Sequence, residues 1–167
     1  GLARDLRKDT PYLAYADLDF EVPVGILGDN YDRYYVRMRE MDESVHMIRQ
    51  LIDMIPEGPI NVDDHRCVLP AKELVYTEIE SLINHFKLIT DGPKVPAGEV
   101  YSAHEGPNGE LGFYIVSDGS GVPYKVHCRA PSFVHMGGLH LLLKGGQLAD
   151  IVPSFGSVNM IGGECDR

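Results

Sequence analysis

Apolar side chains recur at alternating spacings of three and four between residues 31 and 55. This period places them on one face of an α-helix. The spacing predicts one long amphipathic helix from about Asp29 to Ile55. Asp29 or Asn30 can cap its first turn, and Pro56 would end it. We expect the row to be buried as core, with its methionines filling gaps, although methionines could also line an apolar ligand tunnel. The row comprises Tyr31, Tyr34, Met38, Met41, Val45, Ile48, Ile52 and Ile55.

A second helix is predicted from about Pro70 to Lys87, after a polar connection. Proline suits the first helical turn because the N–H that it lacks has no partner within the helix there. Its apolar row has the same helical spacing, and the two helices are expected to pack as a pair. This row consists of Val75, Ile79, Leu82 and Phe86.

The apolar period changes to two between residues 100 and 129, which indicates strands. Two turn signals divide this region, Pro107–Glu110 and Asp118–Gly121. They predict a three-stranded antiparallel β-meander. Residues 9–27 are also expected to be extended, with turns near their prolines. Together these patterns predict an α+β fold in which long amphipathic helices pack with a small antiparallel β-meander.

Two short helical stretches, about residues 134–143 and 147–151, should connect the sheet to a glycine-rich tail. Pro153 should end the second stretch early. The tail glycines allow sharp turns or close approach to a ligand, and charged residues follow them. An ordinary chain terminus explains the same residues equally well. The tail contains Gly145, Gly146, Gly156, Gly162 and Gly163, followed by Glu164, Asp166 and Arg167.

Composition narrows the classes of function. The 167 residues suit a single domain, and 44% apolar with 24% charged residues is ordinary for a globular protein. No stretch approaches the roughly 18 uninterrupted apolar residues of a spanning helix. The net charge of -10 argues against a nucleic-acid partner, because phosphate binding needs clustered cations. The 3 cysteines have no C-x-x-C spacing and predict neither a disulfide framework nor a zinc site.

Motifs for self-sufficient catalysis are missing from the sequence. It contains no G-x-G-x-x-G, Walker A or G-x-S-x-G pattern, so nothing predicts binding of a nucleotide such as NADH or serine hydrolysis. His127, Cys128, His135 and His140 could be imagined as metal ligands. Their spacing is poor for one ion, so structural roles are favoured and no metal is expected.

Several longer strings resemble one family, the quinone-site core subunit of respiratory complex I, the NADH:quinone oxidoreductase. The resemblance extends along the whole chain and includes the closing Gly163–Arg167. It implies that the chain is the C-terminal part of that subunit and that the N-terminal half is absent. The matching strings are Asp5–Lys8 with Pro11–Tyr12, Phe20–Gly25, Gly28–Tyr34, His85–Lys87, Val95–Tyr101, Val116–Gly119, Arg129–Phe133 and Gly163–Arg167.

The resemblance implies a fold similar to the large subunit of nickel-iron hydrogenases. The second cysteine motif of those enzymes falls on residues 159–164, which contain no cysteine, so nickel is not expected. In the complex I family this space is a quinone pocket. The implied pocket wall consists of Asn159, Ile161, Gly162, Gly163 and Glu164.

This sequence departs from the family pattern in three places. Asn159 stands where Asp is usual, and Glu-Gly-Pro-Asn-Gly at residues 105–109 replaces the usual Glu-Ala-Pro-Lys-Gly. Pro153 and Gly162 stand where the family prefers Ala and a bulkier apolar residue. The first change removes a carboxylate from the implied pocket. It leaves an amide that can still hydrogen-bond a quinone carbonyl.

The resemblance implies an electron-transfer role. A terminal iron-sulfur cluster on a neighbouring subunit would reduce quinone, the substrate, and this reaction would be coupled to ion translocation. The partners would be other complex I subunits, at the periphery of an energy-transducing membrane on its cytoplasmic or matrix side. Catalytic residues stay unknown because the family's headgroup ligands lie in the absent half, and the isolated chain is expected to be inactive. Two alternatives are a fragment of a related membrane-bound hydrogenase or donor dehydrogenase, and a purely scaffolding fragment.

Overall fold

A computed structural model describes residues 1–166. It combines helices with one three-stranded antiparallel sheet of order β1-β2-β3, which confirms the α+β prediction. The likeness to the hydrogenase large subunit stays a prediction. The elements are α1 (Leu6–Asp9), a 3-10 turn (Tyr15–Asp17), α2 (Asn30–Met54), α3 (Lys72–Thr77), α4 (Ile79–Thr90), β1 (Gly98–Gly106), β2 (Gly109–Ser117), β3 (Lys125–Arg129), α5 (Pro131–Leu143), a second 3-10 turn (Leu148–Asp150), α6 (Ile151–Val158) and α7 (Gly162–Cys165).

The chain forms two compact units. The first contains Gly1–Ile55, Ser102–Phe113 and Cys128–Arg167, and the second contains Pro56–Tyr101 and Tyr114–His127. Arg167 itself lies outside the described residues. The expectation of a single domain over residues 1–167 stays a prediction. Within residues 1–166, no helix has both the length and the apolar character required to cross a bilayer.

The core of the first unit forms where an extended segment packs against α2. Leu18 and Phe20 of this segment contact Met47 of the helix, and all three are buried. The neighbouring backbone is fastened as well, because the Gln50 side chain accepts a hydrogen bond from the Asp19 N–H (2.9 Å) and donates one to the Asp19 carbonyl (2.6 Å). These contacts decide which face of α2 is buried.

The predicted helix is confirmed, but the predicted burial of its apolar row is wrong. Asp29 caps α2 by accepting the Asp32 N–H at 2.8 Å, as its position in the sequence indicates. Every member of the apolar row is exposed, Ile48 by 54% for example, and only Met47 of this helix is buried. The spacing identifies residues that share a face. It does not determine which face the rest of the chain covers.

The second predicted helix is two helices. Glu78 has extended backbone angles (φ -123, ψ 126), so it ends α3 and begins α4. Its N–H donates to the Leu74 carbonyl at 2.8 Å and its carbonyl accepts the Leu82 N–H at 3.1 Å, which satisfies groups at both helix ends. The apolar spacing continues through this break and therefore did not reveal it.

The strands and turns follow the predicted order, whereas the helices after them differ in extent. Helix α5 begins at Pro131, earlier than predicted, with the proline in its first turn. Helix α6 continues through Pro153, which was wrongly expected to end the helical stretch. Proline is tolerated there because it is the third helical residue, and the first N–H groups of a helix have no partner within it.

Candidate functional site

The segment that follows α6, residues 159–166 and called the tail from here on, turns sharply at Asn159. This residue has left-handed backbone angles (φ 51, ψ 47), and its N–H donates to the Gly156 carbonyl at 3.1 Å. Asparagine is one of the few residues that adopt this conformation readily, which explains how a helix can end here without glycine. The chain then extends through Ile161 into α7.

A side-chain hydrogen bond fastens Asn159 to the sheet. Its Nδ2 donates to Asn108 Oδ1 at 2.6 Å. Asn108 lies in the turn between β1 and β2 and is only 9% exposed. The Asn159 amide, predicted as a quinone contact, is therefore already engaged within the chain through one of its hydrogens.

The far end of the tail is fastened to the first turn of α5. Ser132 is fully buried, and its Oγ accepts the Ile161 N–H at 3.3 Å. The Ser132 N–H donates to the Glu164 carboxylate at 3.0 Å. A carboxylate at a helix N-terminus is favourable, because the unpaired N–H groups there carry partial positive charge. Glu164, another predicted pocket residue, therefore caps α5.

The remaining predicted site residues leave open space beside the tail. Ile161 is 48% exposed. A Cβ atom added to Gly162 or Gly163 would have no neighbour within 4 Å. An apolar side chain thus lies next to two positions that have no side chain. The structure brings residues 159–164 together as one anchored turn, with an accessible edge at Ile161.

A cleft of about 850 Å³ in the first unit includes Asn159 in its wall. The cleft is strongly charged, a feature that sequence reasoning missed. The available signal was the spacing of Arg33 and Arg37, which puts both on one helical face. Its ionisable lining residues are Arg4, Asp5, Arg7, Asp32, Arg33, Arg37, Glu40 and Glu105.

Two of these arginines hold the end of α6. Arg33 Nε donates to Ser157 Oγ at 2.9 Å, and Arg37 donates to the Ser157 carbonyl. Arg33 also donates to Asn30 Oδ1 at 2.6 Å, the atom that accepts the Ser154 hydroxyl at 3.2 Å. Carbonyls in the last turn of a helix lack partners within it, so an arginine is well suited to this position. Helix α2 thereby fixes the point from which the tail starts.

Asp32 organises the loop that precedes α2. Its carboxylate accepts the N–H groups of Ile26 (2.8 Å), Leu27 (2.5 Å) and Gly28 (3.0 Å). These bonds, that of Gly28 foremost, hold the pKa of Asp32 below its ordinary value, because they stabilise the charged form. A Cβ at Gly25 would lie 3.2 Å from Asp32 Oδ2, so glycine lets the loop approach the carboxylate closely.

The pKa values of two other carboxyl groups in the cleft depend on both burial and nearby positive charge. Burial alone would raise the pKa of Asp5, but the hydrogen bonds and charge of Arg7, 2.6 Å away, lower it below its ordinary value. Desolvation raises the pKa of Glu40, and the nearby charges of Arg37 and Arg7 only partly oppose this effect. The cleft thus contains carboxyl groups whose pKa values are displaced in opposite directions.

The predicted absence of a metal site stays a prediction. In the part of the chain that the structure describes, no three His, Cys, Asp or Glu side chains form a group that could hold a metal ion. Cys67 is exposed, and Cys128 and Cys165 are half-buried with free thiols. The described residues thus contribute charge, hydrogen bonds and an apolar edge to the candidate site.

Comparison with known proteins identifies the family. The D subunit of NADH-quinone oxidoreductase from Pelobacter propionicus is 68% identical over 167 residues, which is 100% of this chain and 41% of that protein. The corresponding D subunits of Sorangium cellulosum and Myxococcus xanthus are 54% and 53% identical; both matches include the whole chain, 42% and 40% of the respective relative. The chain thus spans about two fifths of the length of the curated relatives it matches. The family model described as "Respiratory-chain NADH dehydrogenase, 49 Kd subunit" matches residues 1–167, and the chain therefore belongs to this family.

Proposed function

We propose that this chain is part of the D subunit of an NADH:quinone oxidoreductase and that residues 159–164 form one wall of its quinone pocket. Electrons would reach quinone from the terminal iron-sulfur cluster of a neighbouring subunit, and the reaction would be coupled to ion translocation. The observation that carries this proposal is the identity of up to 68%, along the whole chain, with proteins named as the D subunit of NADH-quinone oxidoreductase. The same observation favours this proposal over the alternative of a membrane-bound hydrogenase or donor dehydrogenase fragment.

The geometry of the tail supports its place in the pocket. A quinone ring is flat and largely apolar, and Ile161 offers an exposed apolar contact for it. Gly162 and Gly163 leave room for a ring close to the backbone. An asparagine amide has two donor hydrogens and an acceptor oxygen, so the bond from Asn159 to Asn108 uses only part of its hydrogen-bonding capacity.

Exposed apolar side chains support a role for this chain within a larger assembly. Ile48 of α2 and Phe86 of α4 are 54% and 64% exposed, and they belong to apolar rows that are exposed at most positions. Such surfaces are typical of protein–protein contacts. The proposed partners are the other complex I subunits, above all the one that holds the terminal iron-sulfur cluster. The proposed location is peripheral, on the cytoplasmic or matrix side of an energy-transducing membrane.

A scaffolding role without ligand contact is the second candidate. The internal bonds of Asn159 and Glu164 favour it, because both side chains fasten the tail to the rest of the first unit. The two candidates differ in what they require of Ile161. A pocket wall needs its apolar side chain next to open space, whereas a scaffold needs only that the subunits assemble.

Replacing Ile161 by Trp in the assembled complex separates the two candidates. The larger ring should fill the space beside Gly162 and Gly163 and raise the KM for quinone about tenfold or lower the turnover correspondingly. NADH oxidation with ferricyanide, an artificial acceptor, should keep its rate. The matched control is Ile60→Trp, since Ile60 is fully exposed in a connection of the second unit.

Unchanged quinone kinetics in an assembled Ile161→Trp complex would favour the scaffold. Assembly is followed by native electrophoresis. If Trp prevents assembly, Ile161→Ala provides a milder change, which should weaken quinone binding by loss of apolar contact.

A further inference from the structure

The contact between Asn108 and Asn159 joins two parts of the chain that are 51 residues apart. Asn159 is the joint between α6 and the tail, and its left-handed backbone directs the residues that follow. A rotation at this joint would move Ile161, Gly162 and Gly163 together, since they follow directly in the chain. The side-chain bond at 2.6 Å opposes such a rotation.

Asn108 lies on a short, closely packed turn of the first unit. Gly106 ends β1 and Gly109 begins β2, so only two residues connect these strands. Gly109 has φ 119, a conformation that glycine adopts readily and other residues rarely do. A Cβ at Gly109 would be 3.6 Å from both Pro131 and His135 of α5, which shows how closely this turn packs against that helix. A side chain on a short, packed turn loses little entropy when it forms a bond.

Helix α5 therefore supports both residues that anchor the tail, Asn108 and Ser132. Asn108 lies on the turn packed against α5, and Ser132 lies in the first turn of α5 itself. The tail between Asn159 and Ile161 is held from both ends by these two side chains. Such support from neighbouring residues is what keeps a binding group in a productive position.

We propose that Asn108 is a positioning residue for the quinone pocket: by holding Asn159, it fixes the direction in which the tail presents Ile161 and the two glycines to the substrate. This inference rests on the proposed function. Asn108 acts through Asn159 and needs no contact with quinone.

A double-mutant cycle in the assembled complex tests the contact. Asn108→Ala removes the acceptor, and Asn159→Gly removes the donor while keeping a residue that adopts the left-handed backbone without strain. Asn108→Ala should raise the KM for quinone about three- to tenfold, the range expected for one lost hydrogen bond. Asn159→Gly should raise it at least as much, because it also removes the amide that we propose contacts quinone. The double variant should show the same rise as Asn159→Gly alone, because without the Asn159 amide the Asn108 side chain has no bond left to lose. NADH oxidation with ferricyanide should be unchanged. Asn61→Ala, in an exposed connection, is the matched control and should leave the quinone KM unchanged.

Two results would overturn the inference. One is an unchanged quinone KM in Asn108→Ala. If Ile161→Trp does alter the quinone KM, the pocket proposal survives and only the role of Asn108 is wrong. If neither variant alters it, both proposals are contradicted. The other is a double variant whose effect is the product of the single effects, since independent losses cannot come from a shared contact.

A charge-paired variant keeps the test decisive if the single variants do not assemble. Asn108→Lys combined with Asn159→Asp replaces the amide pair by an ion pair across the same contact. Assembly with a quinone KM within about twofold of the unaltered complex supports the positioning role, because the contact is restored by different chemistry. Failure of the paired variant to restore assembly or quinone binding contradicts it.

Discussion

Single side chains determine where the tail can lie. Asn108 and Asn159 both depart from the family pattern, and the structure joins their side chains by one hydrogen bond. Viewed along the chain they are unrelated, because 51 positions separate them. Ser132 belongs to the matching string Arg129–Phe133, but the sequence indicated no role for it, yet it is fully buried and bonds to both Ile161 and Glu164. Burial of a small polar residue is visible only once its partners are in place.

Asp32 should make the first unit sensitive to acid. Its pKa is lowered in the folded chain by backbone N–H groups, so it stabilises the fold above the ordinary aspartate pKa, about 4, and this contribution is lost as the pH falls through the lower folded value. Asp32→Asn should therefore reduce the melting temperature near neutral pH and narrow its difference from the unaltered chain on acidification. Thermal denaturation from about pH 6 to about pH 3 measures this.

The control for acid sensitivity is Asp42→Asn, on the exposed surface of α2. It should change the melting temperature little at any of these pH values. A difference between the Asp32→Asn and unaltered chains that stays constant with pH would contradict the role given to the Asp32 carboxylate.

Helix α2 shows what the sequence pattern predicts about a helix and what it does not. Its bounds, Asn30–Met54, lie within one residue of the prediction because the cap at Asp29 and the stop at Pro56 are local signals. The face that it buries was predicted wrongly. Leu18 and Phe20 reach Met47 rather than the more strongly periodic row, and this choice depends on the path of a different segment.

Neighbouring residues of α2 should respond very differently to truncation. Met47→Ala removes a buried side chain and leaves a cavity, which should cost about 2–4 kcal/mol of unfolding free energy. Ile48→Ala truncates a side chain that is 54% exposed and should cost about 1 kcal/mol or less. Urea denaturation of the 167-residue chain compares the two. A larger loss at Ile48 than at Met47 would show that the apolar row is buried after all.

As a whole molecule, the chain exposes much of the apolar surface that its helices carry. Besides α2, most of the apolar row of α4 is exposed, including Ile79, Leu82 and Phe86. So many exposed apolar side chains beside a small buried core are unusual in a protein that functions alone. This agrees with the proposal that the chain works as part of a larger protein assembly.

The purified 167-residue chain should neither oxidise NADH nor reduce quinone. It contains no nucleotide-binding motif, and both reactions need redox cofactors that we propose lie on other subunits. Absorbance assays for NADH oxidation and quinone reduction, with the intact complex as positive control, measure this. Turnover by the chain free of other subunits would contradict the proposal that the redox cofactors lie on those subunits.

The sequence alone determined the elements that depend on neighbours a few positions away, namely the long helix, the strands and their turns. It also contained enough family strings for the resemblance that the comparisons confirmed. Tertiary structure decided which face of α2 is buried, which side chains anchor the tail, and that Pro153 lies inside a helix. The reason is physical. Helical and strand periods reflect local backbone geometry, whereas burial and side-chain pairing depend on residues that only folding brings together.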